Sequence, residues 1–341
     1  MSEFLFSYGL FIAKVITALL ALVFAVAIIG GSRKKEADAE LKVTNLNEKY
    51  RALKNTLTHS IMDKKQFKQH AKSLAKQLKK KNKSALQEKP RPKLYVLEFD
   101  GDIKATEVKS MRDEITALLS VAEPQDEVLL KLDNSGGIVH EHGLAASQLQ
   151  RIKDAKLTFT VSVDKVAASG GYMMACVADK IVAAPFAILG SIGVLAQLPN
   201  FNRLLDRAGI DFEQHTAGEY KRTVTMFGKN SDKEREKLKL DLHETHLLFR
   251  NFVAEHRPKL DIDKVATGEH WYGIQALDLN LVDEIKTSDE FLLDALELYD
   301  IYEIKMEIKK GLQDKLLGGL FAGIENAKSG LAARQNQSKY H

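Results

Sequence analysis

From Lys93 onward the chain alternates runs that suit a strand with runs that suit a helix. KLYVLEF, EVLLKL and LTFTVSV are rich in β-branched and aromatic residues. Between them, residues 106–122 and 139–154 carry helical spacing, and a long polar helix is expected at about 231–257. A strand–helix–strand unit brings the chain back in the same direction, so neighbouring strands run parallel and helices cover the sheet. The alternation predicts an α/β domain with a mostly parallel sheet. Residues 181–202 carry no charge, but Pro185, Gly190 and Gly193 interrupt them. They read as a buried strand with tight turns rather than as a membrane span.

The flanks of this domain have a different texture. Residues 4–31, FLFSYGLFIAKVITALLALVFAVAIIGG, carry a single charge, Lys14. The start, MSEF, is not basic, and the apolar run exceeds the roughly 7–15 residues of a secretory leader. The segment reads as an uncleaved membrane anchor. Residues 33–89 contain neither Gly nor Pro, and apolar residues recur at steps of three and four through Val43, Leu46, Tyr50, Leu53 and Leu57. A narrow helical seam of this kind suits a stalk. Residues 31–93 hold 19 Lys/Arg against 6 Asp/Glu, so the rest of the chain is net acidic although the whole is +4. Beside an anchor, such a stretch meets anionic lipid, and no nucleic-acid partner is expected. The expected plan is an anchor at 1–31, a Lys-rich helical stalk at 32–92, the α/β domain at 93–300 and an amphipathic extension at 301–341. The extension places Leu312, Leu316, Leu317, Leu320, Phe321 and Ile324 on one helical face.

Several chemistries are excluded. One cysteine, Cys176, rules out a disulfide framework and a cysteine zinc site. There is no P-loop and no dinucleotide fingerprint. His243 and His246 are spaced i,i+3 rather than i,i+4, so HETH reads as surface helix rather than a zinc motif. Three Gly-rich turns remain: LDNSGG at 132–137, AASGGY at 167–172 and GSIGV at 190–194. Ser169 stands between two alanines and two glycines, directly after a strand-like run. Taken alone, it fits a helix N-cap or a nucleophile. The G-x-S-x-G elbow is not met, because position 167 is Ala, and none of His215, His243, His246, His256 and His270 lies in a marked setting for a serine–histidine pair.

The order DNSGG, AASGGY, GSIGV, AGEYKR at 217–222 and WYGIQALDLNLVDEI at 271–285 resembles the signal peptide peptidase A family of membrane-anchored serine peptidases. The resemblance covers roughly 93–290; Asn280 stands where the family usually has Gly. It implies a ClpP/crotonase-like fold carrying a Ser–Lys pair, here behind a transmembrane helix and the basic stalk. Mapped by motif, Ser169 would be the nucleophile, Lys221 the general base, and Ser191 the residue that holds the lysine. Oxyanion N–H groups would come from Gly170 and from the Asn134–Gly137 turn, at Gly136 or Gly137. The resemblance implies no metal and no cofactor. It also implies peptide or unfolded-protein substrates, such as signal-peptide remnants and misfolded envelope proteins, a homo-oligomer, and single-pass placement in a bacterial inner membrane. The basic stalk favours a cytoplasmic catalytic domain, whereas the resemblance implies the periplasmic side.

The pairing has a physical rationale. A free lysine, with pKa about 10.4, is almost fully protonated at neutral pH, whereas burial disfavours its charge. Small residues beside Ser169 and Ser191 leave room for a peptide backbone. Two rival readings are a crotonase-like acyl-CoA enzyme on the same fold and a catalytically inactive membrane scaffold.

Overall fold

The computed structural model describes residues 4, 6–19, 39–63, 72 and 91–308. The chain divides into two compact units, residues 41–306 and residues 1–40 with 307–341. In the latter, residues 6–19 are helical. Among the described residues no helix is long and apolar enough to cross a membrane. The spanning helix expected over 4–31 is corrected accordingly: the described helical stretch falls short of the roughly 20 residues a span needs. Residues 20–38 lie outside the described residues. The lipid partner and the single-pass inner-membrane placement rested on that helix and are corrected with it.

The fold class is corrected as well. Instead of a ClpP/crotonase-like domain behind a transmembrane helix and basic helical stalk, the larger unit is a mixed α/β domain whose sheet does not close into a barrel. Part of the expected stalk belongs to this domain. Strand β1 (Ala39–Asn45) precedes helix α1 (Leu46–Ile61), whose N-cap Asn45 accepts the Glu48 N–H at 3.0 Å. The seam at Leu46 and Tyr50 packs on the domain core. Asn47 fixes that docking: its side chain donates to Tyr299 O at 3.1 Å and accepts the Ile301 N–H at 2.7 Å. Residues 64–71 and 73–90 of the expected stalk, and the amphipathic stretch at 311–327, lie outside the described residues.

The central strands are β2 (Lys93–Gly101), β3 (Glu127–Asn134), β4 (Thr158–Val163) and β6 (Lys180–Ala183), flanked by β9 (Glu284–Ile285) and β10 (Asp300–Ile308). With β1 they follow the order β1-β10-β2-β3-β4-β6-β9, and the pairings from β10 to β9 are parallel. Helices α2 (Val108–Leu119) and α3 (Val139–Asp154) make the crossovers. Period-two alternation gives the sheet two buried faces. Tyr95, Leu97 and Phe99 enter the larger core with Leu130 and Val161, while Leu94 and Val96 meet Leu46, Leu129, Leu292 and Ile301 on the other face.

Beyond Asn134 the sheet branches. Asn134 pairs with Ala167 of β5 (Val166–Ala168), β5 pairs in parallel with β7 (Ile188–Gly190), and β7 pairs antiparallel with β8 (His270–Tyr272). The first half of the uncharged run 181–202 is thus two short strands joined by a turn at Pro185, whereas residues 195–201 are exposed and belong to no strand, unlike the buried run expected there. Helix α4 (Gly170–Ala175) follows β5 and is wholly buried. Helix α5 (Asn202–Arg207) and the long α6 (Asp232–His256) follow, α6 with a reciprocal Ser231–Glu234 capping box. The small helices α7 (Ile262–Val265), α8 (Gly273–Asp278) and α9 (Ser288–Ala295) complete the domain.

The closing segment is fastened by a charge pair. Arg257 donates to Asp283 through both terminal nitrogens at 2.8 Å, and Asp283 also accepts the Ile181 N–H at 2.7 Å. Burial pushes the Asp283 carboxyl up, but the Arg257 fork and that N–H outweigh it and hold it below its ordinary value. The contribution is therefore complete above the unfolded-state pKa and disappears as pH falls through the lower folded one. Asp283→Asn should cost about 2–3 kcal/mol at pH 7, since it leaves the guanidinium without its counter-charge. Urea unfolding at pH 7 and near pH 3 checks this. The gap between variant and wild type should narrow at the lower pH, and a gap that widens there contradicts the assignment.

Candidate active site

The site forms where β3, β5 and β7 end. Ser169 is the first residue after β5 and caps α4 with φ +53° and ψ −119°. A side chain rarely adopts that region, and holding one there costs roughly 1–3 kcal/mol. The surroundings enforce it. The Ser169 N–H donates to Gly190 O at 2.8 Å, and the Ser169 carbonyl accepts the Met173 N–H at 3.0 Å. The sharp turn leaves Ser169 half-buried, between a buried strand and a buried helix. It is no side-chain cap, because the α4 N-terminus receives no side-chain hydrogen bond.

Gly136 lies against this turn. With φ +87°, it approaches so closely that a Cβ there would sit 2.7 Å from Ser169 Cβ and 2.8 Å from Gly170 N. Only glycine permits that contact. The Gly136 N–H is already engaged, donating to Asn134 Oδ1 at 2.6 Å. Of the backbone donors proposed from sequence, Gly137 and Gly170 are therefore the ones with no backbone acceptor among the described residues.

Ser191 follows the neighbouring strand. Ala168 of β5 is in register with Gly190 of β7, so continuing the pairing by one residue sets Ser169 beside Ser191. Ser191 also has a left-handed backbone, φ +50°, and its N–H donates to Glu269 O at 2.6 Å. Trp271 packs on Gly190, where a Cβ would sit 2.7 Å from its ring. The GSIGV and WYG motifs therefore form one packed unit.

Lys221 is placed differently. It is exposed in the segment between α5 and α6 and lines a cavity of about 750 Å³ with Leu198, His215, Val224 and Phe227. Its neighbours are tied down: Glu219 pairs with Lys233 at 2.6 Å, and the Tyr220 ring faces the ammonium groups of Lys233 and Lys237 at 6.0 and 5.5 Å. Among the described residues the Lys221 ammonium has no hydrogen-bond or ion-pair partner. Gly136 packs on Ser169 and Gly170, and the Ser169 N–H bonds the carbonyl that precedes Ser191, whereas Lys221 lines a cavity to which none of these residues contributes.

Two buried side chains lie beneath the turn, of which sequence reasoning named Asn134 only as the start of the 134–137 turn and His142 not at all. Asn134 and His142 are fully buried, and His142 Nε2 lies 3.2 Å from Asn134 Oδ1. The signal was available: His142, Ala145, Ala146, Leu149 and Ile152 follow the core spacing of α3, which puts an imidazole where an apolar residue is expected. Of the histidines considered from sequence, His246 lies 3.2 Å from Ile192 O, His256 lies 2.9 Å from Gln150 Oε1, and His215 is beside Glu213. His243 and His270 are exposed. Among the described residues no cluster of histidine, cysteine and carboxylate side chains could hold a metal ion.

Comparison with known proteins identifies the family. The N-terminal profile of peptidase family S49 matches residues 3–149, and the peptidase family S49 profile matches residues 151–301. A protein of Haemophilus influenzae described as "Probable protease SohB" is 47% identical over 326 residues, covering 92% of each chain. Proteins with the same description from two Buchnera aphidicola subspecies are 48% identical over 315 residues, covering 91% of this chain and 92% of theirs, and 46% identical over 303 residues, covering 85% and 99%.

Proposed function

We propose that this chain, which belongs to peptidase family S49 and is a serine-type endopeptidase, cleaves peptides or unfolded protein segments with Ser169 as nucleophile and Lys221 as general base. The observation that carries the reading is the strained Ser169 turn, pressed against Gly136 and followed directly by Gly170. Strain of this kind persists where the surrounding structure enforces it, and it clusters at active sites. In the proposed reaction Ser169 Oγ bonds to the scissile carbonyl carbon while the Lys221 amine takes the hydroxyl proton. The oxyanion that develops meets the Gly137 and Gly170 N–H groups. Collapse breaks the C–N bond, and the leaving amine takes the proton from Lys221. Water then attacks the acyl-Ser169 ester, with Lys221 as base, and frees the carboxylic acid.

Lys221 has to reach Ser169 for this, and the exposed segment at 195–222 is the part of the chain that carries it. Ser191, one register step from Ser169, is the residue proposed to receive the ammonium or amine by hydrogen bond. A fluorophosphonate probe should label wild-type protein at Ser169, read by peptide mass mapping, and Lys221→Met should suppress that labelling about 100-fold or more, the scale of a lost general base. Labelling spread over other serines, or unaffected by the Lys221 change, overturns the reading. Mixing Ser169→Ala with Lys221→Met protein tells whether the lysine comes from the same chain: activity recovered in the mixture means that it comes from another.

A further inference from the structure

The buried pair beneath the turn has no part in the reaction described so far. His142 is 0% exposed, on the first turn of α3. It packs closely on the residue after the proposed nucleophile: a Cβ on Gly170 would fall 2.4 Å from His142 Cγ. Asn134 is confined in the same way, since a Cβ on Gly101 would fall 2.1 Å from Asn134 Nδ2 and one on Gly171 2.1 Å from Asn134 O. Neither side chain can turn aside. His142 faces away from catalysis as a base, because its two nitrogens point to Ile138 O at 3.0 Å and Asn134 Oδ1 at 3.2 Å.

Both of those partners are acceptors, and a neutral imidazole has one N–H to give. The orientation of the Asn134 amide is fixed by its other contacts: Oδ1 accepts the Gly136 N–H at 2.6 Å, while Nδ2 points to Met174 Sδ at 3.8 Å. Ile138 O already accepts the N–H groups of Glu141 and His142 at 3.2 and 3.1 Å. Asn134 Oδ1 has a single recorded donor besides His142. A buried carboxamide oxygen with a lone pair that accepts no hydrogen bond is costly, and the Nε2–H is the group in place to donate to it. A doubly protonated ring makes both bonds; a ring protonated only at Nε2 keeps the one to Asn134.

We infer that His142 is a positioning residue for oxyanion binding, acting through an Nε2–H bond to Asn134 that holds the Asn134–Gly137 turn against Ser169. The chain of contacts is short. The imidazole fixes the Asn134 amide, the amide fixes the Gly136 N–H, and Gly136 so turned packs on Ser169 and Gly170 and sets the direction of the next N–H, that of Gly137. The inference rests on the oxyanion role proposed for these N–H groups, but its test reads His142 separately.

Asparagine and glutamine separate the two ring contacts, since an asparagine amide reaches about as far as Nδ1 and a glutamine amide about as far as Nε2. His142→Gln keeps a donor toward Asn134 and should hold kcat within about threefold of wild type. His142→Asn keeps only the Ile138 contact and should lower kcat by about 10–100-fold with KM unchanged, a partial form of the 10²–10³-fold cost of losing an oxyanion donor. Affinity for a peptide aldehyde, which forms a hemiacetal oxyanion on the serine, should fall in parallel with kcat. Two variants that both match wild type, or a His142→Asn variant whose loss lies in KM, overturn the inference. The wild-type protein gives a reading that needs no folded variant. In ¹⁵N-histidine-labelled full-length protein, His142 Nε2 should carry a proton, and a ring protonated only at Nδ1 overturns the inference. Ser169→Ala in the same assays reports on the nucleophile itself, so failure of one reading is distinguishable from failure of the other.

Discussion

Replacing Ser169 by alanine should reduce cleavage of unfolded casein by about 10⁴-fold or more while leaving the domain folded, the scale at which a nucleophile is lost. Alanine keeps the Cβ that packs 2.7 Å from the position a Gly136 Cβ would occupy, and keeps the backbone N–H that bonds Gly190 O. It removes only Oγ, which makes no hydrogen bond among the described residues. Ser169→Gly should be as inactive but more stable. Glycine adopts φ +53° without the strain, so about 1 kcal/mol should return as a higher melting temperature. The pair of variants separates chemistry from strain. Casein cleavage by purified Ser169→Ala at the wild-type rate would show that the hydroxyl is not the nucleophile.

The second large effect is expected at Lys221. Lys221→Arg should lose activity by about 10³-fold, because a guanidinium stays charged at every usable pH and cannot take a proton. Lys221→Met should lose as much. Neither should lower the melting temperature appreciably, since the side chain is exposed and makes no hydrogen bond or ion pair among the described residues. A lysine kept for its charge would tolerate Arg far better than Met; a base tolerates neither. An active Lys221→Arg enzyme removes the dyad from the mechanism. Ser191→Ala should have a milder effect, since its proposed part is only to hold the amine.

The motifs that face the site were legible because each is dictated locally. A glycine that must approach another backbone, as Gly136 does, and a serine squeezed between small residues, as Ser169 is, leave their mark in neighbouring letters of the sequence. The strand–helix alternation from Lys93 was legible for a similar reason: periods of two and 3.6 residues follow from backbone geometry alone. Hydropathy over 4–31 and the seam over 33–89 were weaker guides, because an apolar run or a three-four spacing does not say what will cover it. Residues 41–61 met the edge of the α/β domain, through Leu46 and the bonds that Asn47 gives to Tyr299 O and accepts from the Ile301 N–H, and became part of it.

Tertiary structure alone decided the rest. The pairing of Ala168 with Gly190, which sets Ser169 beside Ser191, joins strands separated by a helix and a further strand, and no local rule states that register. The branching of the sheet at Asn134, which turns β5 away from β4, is likewise a long-range choice made by packing. The commitment of the Gly136 N–H to Asn134 depends on a side chain two residues away, but the reason that side chain stays put is His142, held against Gly170 from another helix. Sequence supplied residue types that can take up strained and closely packed positions. Which of those residues face one another was decided by the burial of both sheet faces, since covering them fixed the order and register of the strands that carry the site.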